Sequence, residues 1–297
     1  MTIHTAATEF NNEKVSRYSK LQRAGSFIVL LACESAIIIF GSHYFNVFRT
    51  NKNLTYNLII SATFLAASLW FRYDQRLKAY WQLAFAFFIA STAIPISALL
   101  SPWNKTVLSW FSVSIDSSQG LAIDKIWESL VKTIPILVLV RLSGADWGSV
   151  YLKRGQLKLG FGIGTLVFFF LGTASFMFAV ERFTSMDRLM AAVVWGLVFS
   201  IGNSFMEELW LRGIFLKRFA PFIGMNGAVW CTSIIFAWMH SFSFYFMPAA
   251  LPFFFINTLM LGLACGYLMV KSDSIWGPVI IHAASDFFLF IAVLANA

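Results

Sequence analysis

The chain has 297 residues, of which 59% are apolar and only 12% charged, with a mean hydropathy of +0.73 and a formal net charge of +8. Soluble domains carry about 25% charged residues, so this composition excludes a water-soluble globular protein. The positive charge is typical of cytoplasmic Lys and Arg in a membrane protein. Without a pattern of basic and aromatic residues that could line a groove, it gives no indication of nucleic-acid binding.

The N-terminal segment 1–23 is polar and carries four basic residues ahead of the first apolar run. The residues that end at Cys33 loosely resemble a lipoprotein cleavage box. The apolar run continues past Cys33 to about Tyr44, however, so we expect an uncleaved anchor.

Nine apolar segments follow in chain order, each close to the 20 or so residues that a membrane-crossing helix needs. They are Ala24–Tyr44, Leu54–Phe71, Tyr80–Leu100, Ile123–Val140, Leu159–Val180, Leu189–Leu211, Ala228–Phe246, Phe253–Val270 and Ile275–Ala295. Continuous apolar runs without polar alternation favour helices over a closed barrel. The sequence therefore predicts an all-α, polytopic transmembrane helical bundle with eight to nine spans. The smaller number applies if the fourth segment, which is charged in its first half, is only half-buried.

The distribution of Lys and Arg predicts the orientation of these spans. With the N-terminus in the cytoplasm, fifteen basic residues fall inside and seven outside. This excess favours a cytoplasmic N-terminus and an external C-terminus. We expect an integral protein of the plasma (inner) membrane.

Glu34 and Glu128 are two of the acidic residues in the first half of the membrane region. Glu34 is in the first span, and Glu128 precedes Lys132 by one helical turn, a spacing that suits an ion pair. We interpret both as structural rather than catalytic. The three cysteines lie within apolar runs, which argues against disulfides and zinc-finger sites.

The ionisable side chains of the membrane region that we single out lie in the last third of the chain. Such groups are costly inside a membrane, so each is a functional candidate. They are Glu207, Glu208, Arg212, His240, His282 and Asp286.

Helix geometry predicts how the first of these groups are oriented. Glu208 and Arg212 are four residues apart, share a face and can pair. Glu207 then points about 100° away, on the face that also carries Asn203, one turn earlier. Glu207 is thus expected to project into the bundle separately from the ion pair.

Two further helices can present side chains to the same point. His282 and Asp286 are four residues apart and share one face, and Phe236 lies one turn before His240. We expect Glu207, His240 and the His282–Asp286 pair to converge in the bundle interior.

Three interpretations of this cluster are open. A carboxylate desolvated among apolar side chains is a better base towards water, and imidazoles can share that water or donate to an oxyanion, which suffices for peptide hydrolysis. The groups can instead belong to unrelated buried hydrogen bonds that fix helix packing. They can also ligate a divalent metal such as zinc, although the His-Glu-x-x-His spacing is lacking. The metal ligands would be Glu207, His240, His282 and Asp286.

The three segments resemble a known family, the CAAX-processing and bacteriocin-processing (CPBP, or Abi) intramembrane endopeptidases. Its motifs are Glu-Glu-x-x-x-Arg, Phe-x-x-x-His and His-x-x-x-Asn. The corresponding segments here, in the same order, are Glu207-Glu208-x-x-x-Arg212, Phe236-x-x-x-His240 and His282-x-x-x-Asp286. The resemblance covers roughly residue 159 to the end.

The resemblance implies a role for each motif position. Glu207 would activate water, His240 would assist it, and His282 with residue 286 would stabilise the oxyanion. This sequence departs from the pattern at Asp286, where the family has Asn. An ionised carboxylate would repel an oxyanion, so Asp286 is expected to be protonated, to orient His282 or to ligate a metal.

The other motif positions are implied to be supporting ones. Glu208 and Arg212 would hold the first helix in place, and we add Asn203 and Phe236 to this set from helix geometry. Relatives of this kind have been called metallopeptidases, although the mechanism that uses Glu without a metal is the better supported one. We therefore expect no cofactor, with a divalent metal as the alternative.

The sequence predicts a membrane endopeptidase that acts on a peptide or lipidated protein in contact with membrane lipid. It divides the chain into a cytoplasmic segment 1–23, transmembrane helices of unassigned role at 24–158 and a protease core at 159–297. A non-catalytic membrane scaffold or bacteriocin self-immunity factor is the alternative from another class. A coupled transporter predicts related halves, and the sequence has no such repeat.

Overall fold

The computed structural model describes residues 19–41, 52–179, 183, 185–243 and 251–294. Within these ranges the chain forms ten α-helices and no strand. They are α1 (Lys20–Ile38), α2 (Lys52–Tyr73), α3 (Trp81–Leu100), α4 (Asn104–Trp110), α5 (Ser118–Leu142), α6 (Leu157–Ala179), α7 (Met186–Glu208), α8 (Leu216–Ser243), α9 (Leu251–Ser272) and α10 (Trp276–Leu294). The predicted all-α class is confirmed.

Seven helical stretches of the described chain are long and apolar enough to cross a membrane, namely those built on α1, α2, α3, α6, α7, α8 and α9. Each of the nine predicted segments coincides with a helix. Two of these helices are not long and apolar enough to be counted as membrane-crossing. They are α5, which is charged in its first half, and α10, whose apolar stretch Trp276–Ile291 is shorter. Most of the segment 1–23 and the last residues of four predicted spans lie outside the described residues.

The outer faces of the helices are apolar. Leu166, Phe170 and Met177 on α6 are 72%, 75% and 70% exposed. Soluble proteins rarely expose contiguous apolar patches of this kind, whereas lipid tails favour them. The fold is that of an integral membrane protein.

Packing between helices brings the C-terminal elements together. Helix α10 packs against α6, α7 and α9, and α7 also packs against α5. Helix α8 lies between α9 and α1. The helices that carry the predicted site residues, α7, α8 and α10, therefore surround one interior region, and α1 to α5 close one side of it.

Helix α8 changes direction at Gly224, which has φ 78° and ψ 161°. A side chain would clash in this backbone conformation, so glycine is required. The change of direction separates a first part, 216–223, from the longer part that carries His240. It thereby sets the angle at which His240 enters the bundle.

Two acidic residues of the first half, Glu34 and Glu128, have partners on another helix or on their own helix. Glu34 is fully buried, and its Oε2 accepts a hydrogen bond from the Cys231 thiol at 3.6 Å. Glu128 accepts from Lys132, as predicted, and also from Lys125, each at 2.6 Å. The three cysteines are free thiols, as the sequence predicts.

We expect Gly277→Ala to destabilise the protein by about 1–3 kcal/mol, the usual cost of overpacking. A Cβ at Gly277 would lie 2.7 Å from the Cα of Gly160, where α10 meets α6. Neither backbone can yield without separating the two helices. Thermal unfolding in detergent, followed by circular dichroism, measures the effect.

The matched control for this prediction is Gly162→Ala, because a Cβ at Gly162 meets nothing within 4 Å. In a helix this control should be neutral or slightly stabilising. An equal loss of stability in both variants would show that the α6–α10 contact is not responsible.

Candidate active site

The first site element is the end of α7, where the chain passes into a π turn at Leu209–Gly213. Such turns occur frequently at functional sites. Arg212, in this turn, donates from Nη1 to Oε1 of Glu208 at 2.5 Å, and both side chains are fully buried. The guanidinium also lies over the ring of Phe236, 4.3 Å from its centroid. The predicted Glu208–Arg212 pair is present and joins α7 to α8.

Glu208 has a second partner that the sequence did not indicate. Its Oε1 lies 2.9 Å from Nδ1 of His282 on α10. Because a carboxylate paired with Arg212 accepts hydrogen bonds, we assign the proton to Nδ1. Nε2 of His282 therefore points in the other direction, towards Glu207.

Glu207 faces both imidazoles. Its Oε2 lies 3.5 Å from Nε2 of His240 and 3.7 Å from Nε2 of His282. His240 donates from Nδ1 to the carbonyl oxygen of Phe236 at 2.9 Å, so Nε2 of the neutral ring is an acceptor. One carboxylate oxygen and two imidazole nitrogens thus converge from three helices, at separations beyond a direct hydrogen bond.

Asp286 is held by two donors on α7. Its Oδ2 accepts from Nδ2 of Asn203 at 2.9 Å and from the hydroxyl of Ser204 at 3.1 Å, and its Oδ1 lies 3.6 Å from Nε2 of His282. Helix geometry placed Asn203 beside Glu207 but did not predict its contact with Asp286. Ser204 was missed, and its only sequence signal is a polar residue next to Asn203 in an apolar helix.

The cluster is partly open. The side chain of His282 is 1% exposed, whereas those of Glu207 and His240 are 12% and 22% exposed. A cavity lined by Glu207 extends from here towards α2, α3 and α5. A substrate or water molecule can therefore reach Glu207 and His240, while Glu208, Arg212 and His282 are enclosed.

Three of these groups could hold a divalent metal. The ligand atoms of Glu207, His240 and His282 all lie within 4.8 Å of one another. Zinc ligands lie about 2.0–2.1 Å from the metal, so neighbouring donors of a tetrahedron are roughly 3.3–3.4 Å apart. Both imidazoles also hold their Nδ1 in hydrogen bonds, as metal-binding histidines do. The residues fit such an ion; Asp286, a ligand in the sequence-based alternative, is not part of this group.

The fold and the site together define an integral membrane protein whose helices enclose a carboxylate–imidazole centre. Residues 188–288, about one third of the chain, match the family described as type II CAAX prenyl endopeptidase Rce1-like. This match confirms the resemblance seen in the three motifs.

The matched segment includes every predicted site residue, from Asn203 to Asp286. Comparisons with curated proteins and with solved structures gave no significant match. The family assignment indicates a CAAX-type intramembrane protease in general terms.

Proposed function

We propose that this protein is an intramembrane endopeptidase that hydrolyses a peptide bond with water activated by Glu207. The observation that carries the proposal is the convergence of Glu207 Oε2 with Nε2 of His240 and Nε2 of His282, at 3.5 and 3.7 Å. A water molecule between these atoms would donate one hydrogen bond to the carboxylate and one to an imidazole. Glu207 would then take its proton as the oxygen attacks the peptide carbonyl.

His240 is proposed to position this water. Its Nδ1–H is committed to the carbonyl oxygen of Phe236, which orients the ring and leaves Nε2 as the acceptor. Phe236 also packs against the ring of His240, with centroids 4.2 Å apart, and beneath the Arg212 guanidinium. Phe236 therefore acts as a support for both groups.

His282 is proposed to stabilise the oxyanion. Three carboxylates lie within 3.7 Å of its ring nitrogens: Glu208 at Nδ1, and Glu207 and Asp286 at Nε2. These three negative charges favour the imidazolium form of His282 before the water attacks, and the proton that Glu207 takes from the water would pass to the leaving amine. The Nε2–H of His282 could then donate to the developing negative charge. Glu208 and Arg212 keep this ring in place from the opposite side.

Asp286 is proposed to orient His282 rather than to donate to the oxyanion, because two donors already hold its carboxylate as an acceptor. We expect Asp286→Asn to retain cleavage within about tenfold, a difference near 1.4 kcal/mol. Its amide oxygen can still accept from Asn203 and Ser204, while its Nδ2 can donate to the oxyanion. Asp286→Leu, which removes both options, should lose about 10²-fold or more.

Initial rates with one cleaved peptide measure this prediction. A large loss in Asp286→Asn together with normal folding would show that the negative charge at residue 286 is required.

The substrate is proposed to be a membrane-associated peptide or a lipidated protein. With a cytoplasmic N-terminus, the Glu207 end of α7 faces the inner surface of the plasma membrane, and the scissile bond would lie near that surface. The transmembrane helices at 24–158 would form one wall of the site in front of the core at 159–297.

A metal-dependent form of the same protease is the second candidate, favoured by the spacing of the three potential ligands. Glu207, His240 and His282 would hold the ion. A bound divalent metal would polarise the carbonyl and lower the pKa of water. In both forms Glu208 and the Phe236 carbonyl fix the orientation of the two imidazoles.

The experiment is a cleavage assay with purified protein in detergent, a peptide library and mass-spectrometric detection of products. We expect wild type to cut and His240→Ala to lose at least about 10²-fold. A parallel set with chelator separates the two forms, since the metal-free mechanism survives it. Equal cutting by wild type and His240→Ala would refute the proposal, and a growth or immunity phenotype that survives loss of Glu207 would favour a scaffold.

A further inference from the structure

Helix α9 carries none of the motif residues, yet it packs along α8 and reaches the buried ion pair of the site. Gly262, on α9, lies beside the guanidinium of Arg212. A Cβ atom built at Gly262 would lie 3.0 Å from Nη2 of Arg212, closer than side-chain carbons usually approach another heavy atom. The absence of a side chain at residue 262 therefore leaves room for the guanidinium.

The space beside Gly262 is closed on its other side by α8. The same Cβ atom would lie 3.1 Å from the Cβ and 3.2 Å from the Cα of Ser233. Ser233 belongs to a closely packed helix, so its backbone cannot yield without moving α8. Arg212 is fully buried, and its guanidinium cannot move out into solvent. A side chain at residue 262 would therefore press on Arg212 or separate α8 from α9.

Packing matters for the guanidinium of Arg212 because few hydrogen bonds hold it. Nη1 donates to Glu208, whereas Nε and Nη2 have no hydrogen-bond partner among the described residues. The ring of Phe236 lies against the guanidinium, with its centroid 4.3 Å from Cζ. A group held by one acceptor can still turn about that bond unless its neighbours prevent it. Phe236 and Gly262 are the two neighbours that limit this rotation.

The orientation of Arg212 affects His282 through Glu208. Oε1 of Glu208 accepts from two donors, Nη1 of Arg212 at 2.5 Å and Nδ1 of His282 at 2.9 Å. A shift of the guanidinium would move this oxygen, and the imidazole would follow through Nδ1. Nε2 of the same ring would then leave its position 3.7 Å from Glu207. A misplacement of about 1 Å caused by a distant substitution can lower a rate by about 10²-fold.

We propose that Gly262 is a positioning residue of the site, because it seats Arg212 in the orientation that holds Glu208. Through Glu208 it fixes the imidazole of His282, so the inference rests on the proposed peptidase function. Helix α9 borders the same ion pair at a second point, since the thiol of Cys265 interacts with the charges of Glu208 and Arg212. Helix α9 thus takes part in catalysis without contributing a group to the reacting centre.

The first experiment measures nitrogen NMR signals of the imidazoles in full-length protein, isotopically labelled at histidine and held in detergent micelles. The chain has only four histidines, and His282→Gln identifies the signals of His282. We expect Gly262→Ala to shift the Nδ1 signal of His282, because its hydrogen bond to Glu208 is displaced. This measurement does not depend on hydrolysis.

The matched control is Gly266→Ala, one turn further along α9. The three heavy atoms nearest to a Cβ atom at Gly266 all belong to Val229, the closest at 2.9 Å. This substitution therefore overpacks the same contact between α8 and α9 without touching Arg212. Both alanine variants should lose thermal stability, whereas only Gly262→Ala should shift the His282 signal.

The second experiment tests the link through Arg212 by kinetics. Gly262→Ala should lower kcat for peptide cleavage by about 10–10²-fold, with KM within a few-fold of wild type, because no group that binds the substrate is removed. The ammonium in Arg212→Lys can still donate to Glu208 but has no Nη2 facing residue 262. In this background Gly262→Ala should lower kcat by less than about threefold further, since substitutions of residues in contact are not additive.

An unchanged His282 signal in Gly262→Ala, or an equal change in Gly266→Ala, overturns the proposal. A loss of kcat that stays as large in the Arg212→Lys background overturns it as well. If Gly262→Ala does not fold, the double variant Gly262→Ala/Arg212→Lys decides. Recovery of folding would support the proposal, and failure would assign the cost to the contact with α8 and overturn it. Absence of cleavage by wild type, together with the expected NMR shift, would count against the proposed function only.

Discussion

Glu207→Gln is expected to lower kcat for peptide cleavage by at least about 10²-fold and by up to 10⁴-fold, the range of general acid–base catalysis. The amide has nearly the same shape as the carboxylate but cannot take a proton from water. The amide oxygen can occupy the same position, 3.5 and 3.7 Å from the two imidazoles in the wild type, but it cannot act as a base. Because the ground-state contacts change little, KM should stay within a few-fold of wild type. Steady-state kinetics with a cleaved peptide measures both constants.

The matched control is Glu34→Gln, a second buried intramembrane carboxyl changed in the same way. Glu34 lies on α1 and accepts from Cys231. Its amide oxygen can still accept that bond, so kcat should stay within a few-fold of wild type. If Glu207→Gln cuts as fast as Glu34→Gln, Glu207 is not the base and another group must activate the water.

Arg212→Met is expected to lower the free energy of unfolding by about 3–5 kcal/mol, the usual effect of breaking a buried ion pair. The substitution would leave the carboxylate of Glu208 fully buried without its cation. It would also remove the guanidinium from the ring of Phe236. Because Glu208 holds His282, activity should fall together with stability. Unfolding in mixed detergent micelles measures the first effect.

Two further variants test the physical reason for this loss. The exposed Arg76→Met should change stability by less than about 0.5 kcal/mol, as surface substitutions do. The double variant Glu208→Gln/Arg212→Met removes the uncompensated charge and should recover part of the loss. If the double variant is as unstable as Arg212→Met, the packing of the arginine side chain, rather than the unpaired charge, determines the cost.

Contacts within one helix could be read from spacing. The Glu208–Arg212 and Glu128–Lys132 pairs, four residues apart, were both predicted and are both present. The different orientation of Glu207, about 100° away from Glu208, followed from the 100° turn per residue. These predictions succeeded because helix geometry alone determines which side chains share a face, even where α7 ends in a π turn.

The convergence of Glu207, His240 and the His282–Asp286 pair was predicted and is present, but the individual hydrogen bonds between helices could not be read from spacing. The bond from His282 to Glu208 joins residues 74 positions apart, and that from Asn203 to Asp286 joins residues 83 apart. Whether two faces meet depends on how closely the helices approach, as where Gly160 and Gly277 allow α6 and α10 into contact. For this reason the sequence left three roles open for Asp286: to be protonated, to orient His282 or to ligate a metal. Its two hydrogen-bond donors on α7 could be identified only from the tertiary structure.

The number of spans depends on a similar distinction. Hydropathy alone leaves α5 uncertain because Lys125, Glu128 and Lys132 lie in its first half. In the structure these charges pair with one another and line the cavity beside Glu207. A charge that faces a polar cavity has a much lower cost than one that faces lipid, and composition cannot tell the two apart.

The sequence by itself determined that the chain lies in a membrane, that its fold is all-α and which ionisable residues form the candidate site. It could do so because hydropathy and residue spacing are local properties. The sequence also predicted that these groups converge, but only the tertiary structure decided the individual contacts between them. It brought Glu207 to two imidazoles, enclosed His282 behind Glu208 and Arg212, and opened the cavity towards α5. The physical reason is that the proposed catalysis requires atoms on helices far apart in the sequence to lie within a few ångströms of one another. Those separations are set by packing across the whole bundle.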